Sequence, residues 1–365
     1  MDVMRAANKR EAEGADVLHM EVGQPSTPAP SGVLEAANKA LAVDKLGYTD
    51  AFGIPPLRQA IADYYRSDYG IDVDPGRVVV TTGSSGAFVL SFLAAFEAGD
   101  RVALAAPGYP AYRNILKALG VEPVNLPVGP ETNFQPTPET LDRVEGRLDG
   151  LIIASPSNPT GTMITPEGLQ ALVDYCRDRS LRLISDEIYH GITYENRAET
   201  VLSLTDEAII VNSFSKYFSM TGWRLGWMVI PESLHRSSEC LAQNLFISPP
   251  TLSQFAGVAV FDCREELDAN VARYASNREL LLRELPRAGF NKLSHADGAF
   301  YLYADVAHLT NDSLEFCQRV LTDTGVATTP GIDFDPDRGG HFVRFSFAGA
   351  TDDMAEAARR LQAYL

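Results

Sequence analysis

The sequence predicts an α/β protein: a mostly parallel sheet with helices on both faces, followed by a smaller α+β domain. Three observations carry this. Short apolar runs recur at Arg77–Thr81, Arg101–Ala105, Leu151–Ala154, Leu181–Ile184, Ala208–Val211 and Leu225–Ile230, and near-continuous Val, Ile and Leu mark strands buried on both faces. Helical patterns lie between them. Ile54, Leu57, Ile61 and Tyr65 recur at helical spacing, as do Leu169, Leu172, Val173 and Cys176 behind Thr165 as N-cap and Pro166 at the first helical position. That alternation implies a parallel sheet. From about Phe255 the pattern changes. One long helical stretch is expected to about Glu284, ended by Pro286 and Gly289. Strand-like Ala299–Tyr303 and Phe342–Ser346 follow, then a closing helix from Asp352 carrying Met354, Ala358 and Leu361. The division expected is residues 44–262 as the large domain, and 1–43 with 263–365 as the small one. The first forty or so residues, bent at Pro25, Pro28 and Pro30, are too few for a domain of their own.

Composition narrows the partners. The chain has 365 residues, 45% hydrophobic and 22% charged, with a formal net charge of -17. As a soft prior, that length fits two domains and a sizeable core. The acidic excess argues against nucleic-acid backbones and anionic membranes, which select basic faces. It also makes each buried Lys or Arg informative, because an acidic protein that binds anions must concentrate positive charge locally. Cys176, Cys240, Cys263 and Cys317 lie far apart without zinc-type spacing, so neither a metal site nor a disulfide framework is expected. No apolar run approaches a membrane span, and Met1–Glu11 holds no signal-type apolar segment. The chain is expected to be soluble and cytoplasmic.

Lys216 is the most informative residue. It follows the strand-like Ala208–Val211 and stands among Ser213, Ser215, Ser219 and Thr221, with Arg224 eight residues on. A lysine at a strand end among phosphate-sized hydroxyls suits an imine-forming amine, one that holds pyridoxal 5'-phosphate (PLP) as a Schiff base. A solvated lysine in a polar loop is the plain alternative. The other suggestive residues also lie beyond strands, where open α/β sheets bind ligands. The segment Thr81–Phe88 opens a helix with Gly83, Ser84 and Ser85. Glycine permits close backbone approach and a helix N-terminus favours an anion; an ordinary Gly/Ser turn fits equally. Asp186 ends a strand-like run, either as a helix cap or as the carboxylate that keeps a pyridinium nitrogen protonated. Tyr189, three residues on, is placed to donate to the ring's phenolic oxygen. In Ser155–Thr162, a rigid Pro/Gly turn, Asn158 is the well-placed donor. Tyr109 stacks on a planar ring or packs in the core. Arg344, among apolar strand residues, is either half of a salt bridge or a bidentate clamp on a substrate carboxylate.

Taken together these residues resemble the fold-type I PLP-dependent aminotransferases, the class I/II family that includes the aspartate aminotransferases. The likeness runs from Val22–Pro25 to the Arg344 strand and rests on Ser157–Gly161, Ser185–Tyr189 and Ser213–Lys216 through Arg224, in that order and spacing. The resemblance implies a fold-type I large domain, PLP as cofactor, and amino-acid and 2-oxo acid substrates. It implies Lys216 as the Schiff-base lysine and proton shuttle, and Asp186 as pyridinium partner. Asn158 and Tyr189 are then the donors at the ring hydroxyl, and Tyr109 the stacking ring. Gly83, Ser84, Ser85, Ser213 and Arg224 become the phosphate site, and Gly23 and Arg344 the α-carboxylate site. Tyr48 matches a tyrosine that reaches the phosphate of a neighbouring subunit, so a homodimer is expected.

One departure concerns specificity. Some aspartate-specific relatives read the distal carboxylate with a lysine on the helix after the phosphate loop; Phe88–Phe96 here holds no basic residue. Aspartate is therefore not expected to be clearly the best donor. Two other functions share the fold. A PLP-dependent C–S β-lyase would use the same lysine. A non-enzymatic ligand-sensing domain would need a fused DNA-binding module, and the family-like core begins near residue 20, which leaves no room for one.

Overall fold

In a computed structural model that describes residues 2–365, the chain opens with the helix Asp2–Ala12 and a two-residue strand, β1 (Leu18–His19). Seven strands then build the main sheet: β2 (Val78–Thr81), β3 (Arg101–Ala106), β4 (Glu122–Pro127), β5 (Gly150–Ala154), β6 (Arg182–Asp186), β7 (Ile209–Ser213) and β8 (Gly226–Val229). Their order is β2-β8-β7-β6-β5-β3-β4. Pairing is parallel throughout from β7 to β4, while β8 runs antiparallel to both of its neighbours. Side chains alternate between two apolar layers: Val78, Val80, Leu151, Ile153 and Ile210 enter one, and Val79, Ile152, Ile184, Ile209 and Val211 the other. Both faces are thus covered, as the unbroken apolar runs require.

All six expected strands of this sheet form. The seventh, β4, was not expected. Its sequence, Glu-Pro-Val-Asn-Leu-Pro, carries two prolines, which a central strand would not tolerate. At the sheet edge β4 pairs only with β3, so the missing donors cost nothing. Thr165 caps the helix Pro166–Arg179 by accepting from Gly168 N, as its position implied. The long helix expected to Glu284 is two helices, Thr251–Ala259 and Arg264–Glu284, separated by a single 3-10 turn at Val260–Asp262. Glu265 and Glu266 favour a fresh N-terminus there. Glu266 also accepts from Ser31 N, which ties that start to the helix Ser31–Val43.

The remaining strands are β9 (Lys292–Leu293), β10 (Tyr301–Asp305), β11 (Val326–Ala327), β12 (Thr329–Pro330) and β13 (Phe342–Ser346). Four of them form an antiparallel sheet, β12-β13-β10-β9, and β1 pairs in parallel with β11. The N-terminal segment therefore joins the C-terminal third of the chain.

Register places the site. Ala154 and Asp186 end β5 and β6 side by side, and Asp186 lies beside Val211, two residues before the end of β7. Because β8 runs backwards, its first residue, Gly226, faces Ser213 and Thr81 at that same edge. Chain entering β8 and chain leaving β2, β5, β6 and β7 therefore converge on one rim. Among the described residues no helix is long and apolar enough to cross a membrane, and all four cysteines are free.

Candidate active site

A cavity of about 560 Å³ opens between this rim and the antiparallel sheet, the size of a small-molecule site. Lys216, Asp186, Tyr189, Asn158, Tyr109, Ser84, Ser85, Arg224, Gly23 and Arg344 all line it. Three expected residues stand elsewhere. Gly83 lies beneath the wall and Ser213 one layer behind it, donating to Ser215 Oγ at 2.9 Å; Ser215 itself faces the cavity. Tyr48 is 84% exposed and does not reach this cavity.

Asp186 forms the floor. It is buried, its Oδ1 accepts from Ile188 N at 3.1 Å, and its Oδ2 accepts from the Tyr112 hydroxyl. Burial pushes its carboxyl up to about 6, against the pull of the Tyr112 bond. A buried carboxylate with this cost of ionisation suits a cationic ring nitrogen as partner. Lys216 Nζ donates to Gly23 O at 2.5 Å, and burial, with the nearby Arg344 charge, lowers its amine to about 8. An amine so lowered is partly neutral near physiological pH, as a nucleophile must be. Gly23 is required by close approach: a Cβ there would collide with the Tyr301 hydroxyl.

The helix Gly83–Ala95 points its N-terminus at the cavity, and Arg224 lies over it. A Cβ at Gly83, where φ is +74°, would sit 2.5 Å from Arg224 Nη2. Arg224 holds a left-handed conformation, φ 50°, costly for a non-glycine, and donates to Thr221 O at 3.0 Å. Helix dipole, hydroxyls and guanidinium together form an anion cradle, so the residues present fit the phosphate of PLP as well as its ring.

Across the cavity, Arg344 is buried on β13. Nη1 donates to Asn158 Oδ1 at 2.9 Å, and Nη2 to Glu21 O at 2.6 Å and to Thr329 Oγ1 at 3.1 Å. All of these partners are neutral groups. The salt-bridge alternative finds no carboxylate in range among the described residues. A buried guanidinium without a counter-charge fits an incoming carboxylate.

Several wall residues escaped the sequence reading. Tyr112 could have been found as one helical turn beyond Tyr109. Tyr301, whose hydroxyl meets that of Tyr189 at 2.7 Å, sits on a strand with no local motif. Val3, Met4, Leu314, Ile332 and Phe334 complete an apolar wall beside Asp2, Glu21 and Asp333. Behind the floor, burial keeps Glu187 and His190 uncharged, pushing them to about 8 and about 3. His190 Nε2 donates to Ser155 O at 3.0 Å and so anchors the turn that carries Asn158.

The chain is similar to known proteins over its whole length. The family model for aminotransferase class I and II matches residues 15–361. A valine–pyruvate aminotransferase of Mycobacterium tuberculosis is 53% identical over all of this chain and 95% of its own length. A (5-formylfuran-3-yl)methyl phosphate transaminase of Methanocaldococcus jannaschii is 32% identical over 100% of this chain and 96% of its own. The crystal structure of an aminotransferase from Mycobacterium tuberculosis superposes with a TM-score of 0.98 at 53% identity, covering 100% of this chain and 95% of that one. With an apolar sheet whose strand ends gather a lowered lysine, a buried aspartate and a cationic anion cradle, the chain belongs to the class I and II aminotransferases.

Proposed function

We propose that this PLP-dependent aminotransferase moves the amino group of an apolar L-amino acid of the valine type to pyruvate. The observation that carries the choice is the charge of the substrate wall. Among the described residues Arg344 is its cation, and the rest of that wall is apolar, neutral polar or acidic. One guanidinium matches one carboxylate, and both half-reactions use the same cavity. Donor and acceptor are therefore each a monocarboxylate; a second carboxylate would find no further cation on that wall among the described residues. The relative 53% identical over the whole chain carries a name that fits this reading.

When bound, PLP supplies an electron sink for the pair left as the substrate α C–H bond breaks. Asp186 would hold the ring nitrogen charged, and Arg224, Ser84 and Ser85 at the helix N-terminus that Gly83 opens would hold the phosphate, with Ser213 behind them orienting Ser215. Tyr109 would cover one ring face, and Asn158 and Tyr189 would donate at the ring hydroxyl. Arg344, beside Gly23, fixes the carboxylate and thereby the α C–H bond. Lys216 would anchor the cofactor covalently, and its Nζ, once free, would take the substrate α-proton and give it back. The lowered basicity of Lys216 supports that double duty.

The reading extends to assembly and location. Leu41, Val43, Tyr48, Leu245 and Ile247 are at least half exposed, and Thr251 Oγ1 donating to Gly47 O holds two of these segments together. Such an apolar surface suits a second copy, with Tyr48 reaching the partner's phosphate. We take the enzyme as a cytoplasmic homodimer. Its large domain is 44–262, and 1–43 with 263–365 form the small one, a division supported by the β1–β11 pairing. The test is a screen of donors and acceptors ranked by kcat/KM. Valine-type donors with pyruvate are expected to lead, and a clear lead for aspartate or 2-oxoglutarate would overturn the reading.

A further inference from the structure

Arg344 is held between two aromatic faces, its guanidinium carbon 4.3 Å from the Tyr301 ring centre and 4.8 Å from that of Phe334. Tyr301 is fixed by its strand, since β10 pairs with β13. Phe334 belongs to no strand. It sits in the segment 331–341, which folds back on itself so tightly that a Cβ at Gly331 would come within 2.5 Å of Gly339 O. That segment is tied to the main sheet from both directions. Arg113, one turn beyond Tyr109 in the helix Pro110–Ala118, donates from Nη2 to Asp333 O and, at 3.1 Å, from Nη1 to Phe334 O. Gly108 N donates to Phe334 O at 3.2 Å. In the other direction Arg338, paired with buried Asp335 at 2.8 Å, donates to Ala106 O and, at 3.1 Å, to Val128 O. Val128 and Phe134 from the main-sheet side pack with Phe334 and Tyr303 in a separate apolar cluster.

We propose that Arg113 is a positioning residue for substrate carboxylate recognition. It fixes Phe334 by its backbone carbonyl, and Phe334 fixes the plane of the Arg344 guanidinium. Bidentate recognition depends on that plane, because the donor fork is rigid and flat. An aromatic face restrains it with a cation–π attraction. Carboxylate affinity is in this way set from the same helix that carries the ring-facing Tyr109, so the two halves of the site stay in register. The inference rests on the monocarboxylate reading above and deepens it.

The test uses PLP-loaded enzyme with Arg113→Ala and Arg113→Lys. The hydrogen bonds of Arg113 go to carbonyls; its charge lies near Asp333 and buried Asp335, and Asp335 keeps Arg338 as its partner when Arg113 is removed. In Arg113→Ala, KM for valine and for pyruvate is expected to rise together by roughly 2- to 30-fold, the range for coupling through packed neighbours. PLP occupancy and kcat are expected to hold. The dissociation constant of 2-methylpropanoate, read from the cofactor absorbance, is expected to rise by the same factor. Isobutylamine, which lacks the carboxylate, is expected to bind as before, and Arg113→Lys to recover part of the loss. Loss of kcat, PLP occupancy and melting temperature with unchanged 2-methylpropanoate binding would overturn the proposal. Should Arg113→Ala not fold, Phe334→Leu carries the same measurement and the same two outcomes. Weaker 2-methylpropanoate binding in an enzyme that ignores valine would support the positioning role while refuting the substrate choice.

Discussion

On the cavity floor nearly every polar group already has a fixed partner: Asp186 takes Tyr112 and Ile188 N, and Lys216 takes Gly23 O. The wall opposite sets the buried cation Arg344 among mostly apolar side chains and gives it no carboxylate partner among the described residues. The floor therefore comes prepared for one invariant ligand, whose charges it complements before arrival. The wall is prepared for a class of ligands that share a carboxylate and differ in an apolar group. Preorganised polar groups are worth most where charge develops in the reaction. Apolar walls discriminate weakly, by roughly 1–3 kcal/mol per methylene. Substitutions in the two regions are expected to fail in different ways.

The largest effect belongs to Lys216. Lys216→Ala is expected to bind PLP without a covalent link and to lose turnover by roughly 10⁴-fold or more, since groups that act as a unit lose most of the catalysis when one is removed. Borohydride reduction and peptide mapping of the native protein check the assignment directly. Label on any other lysine would end it.

The floor was legible in the sequence for a physical reason. Each of its groups lies within a few residues of a buried strand end, so an apolar run followed by an odd polar residue reports both position and exposure. Asp186, Lys216 and Asn158 were found in this way, and Arg224 arrives at the same rim because β8 runs backwards. The wall is assembled from residues near 3, 301, 314 and 334, whose meeting depends on domain packing and leaves no local pattern. Arg344 was the exception, since a cation inside an apolar strand stands out. Strand β4 was hidden by prolines that only an edge position excuses, and the break at 260–263 by an apolar pattern that runs straight through it. Tyr48 is exposed in one chain, and the role proposed for it needs a second copy, which a single sequence does not display.

An intermediate effect belongs to Arg344. Arg344→Leu removes the cation of the wall and leaves a side chain of apolar character. Removing one partner of a buried charged contact costs roughly 2–5 kcal/mol, so kcat/KM is expected to fall by about 30- to 5,000-fold for every donor and acceptor alike. The loss should appear mainly in KM, with PLP still held by Asp186 and Arg224, while Lys216, relieved of the Arg344 charge, becomes more basic. A variant whose efficiency matches the native enzyme would return Arg344 to a structural role and erase the contrast between the regions.

The smallest effect is on stability without cofactor, and its sign follows from Asp186. Its carboxyl is raised to about 6 from the ordinary 3.8. The folded protein therefore keeps a proton that the unfolded chain has lost, and the contribution is fully present below about 4 and lost as pH rises through about 6. A tenfold change in proton affinity corresponds to about 1.4 kcal/mol, so the loss is on the order of 2–3 kcal/mol. Asp186→Asn cannot ionise and should lack this decline. Cofactor-free Asp186→Asn is expected to be relatively more stable than the native protein at pH 7.5 than at pH 5, by denaturant unfolding. Added PLP should reverse the order at pH 7.5, because the native carboxylate then meets a cationic ring nitrogen and the amide does not. Parallel pH profiles for the two cofactor-free proteins would show that the Asp186 carboxylate is already satisfied by Tyr112 and Ile188 N. The floor would then be no more charge-strained before cofactor binds than any well-capped surface acid.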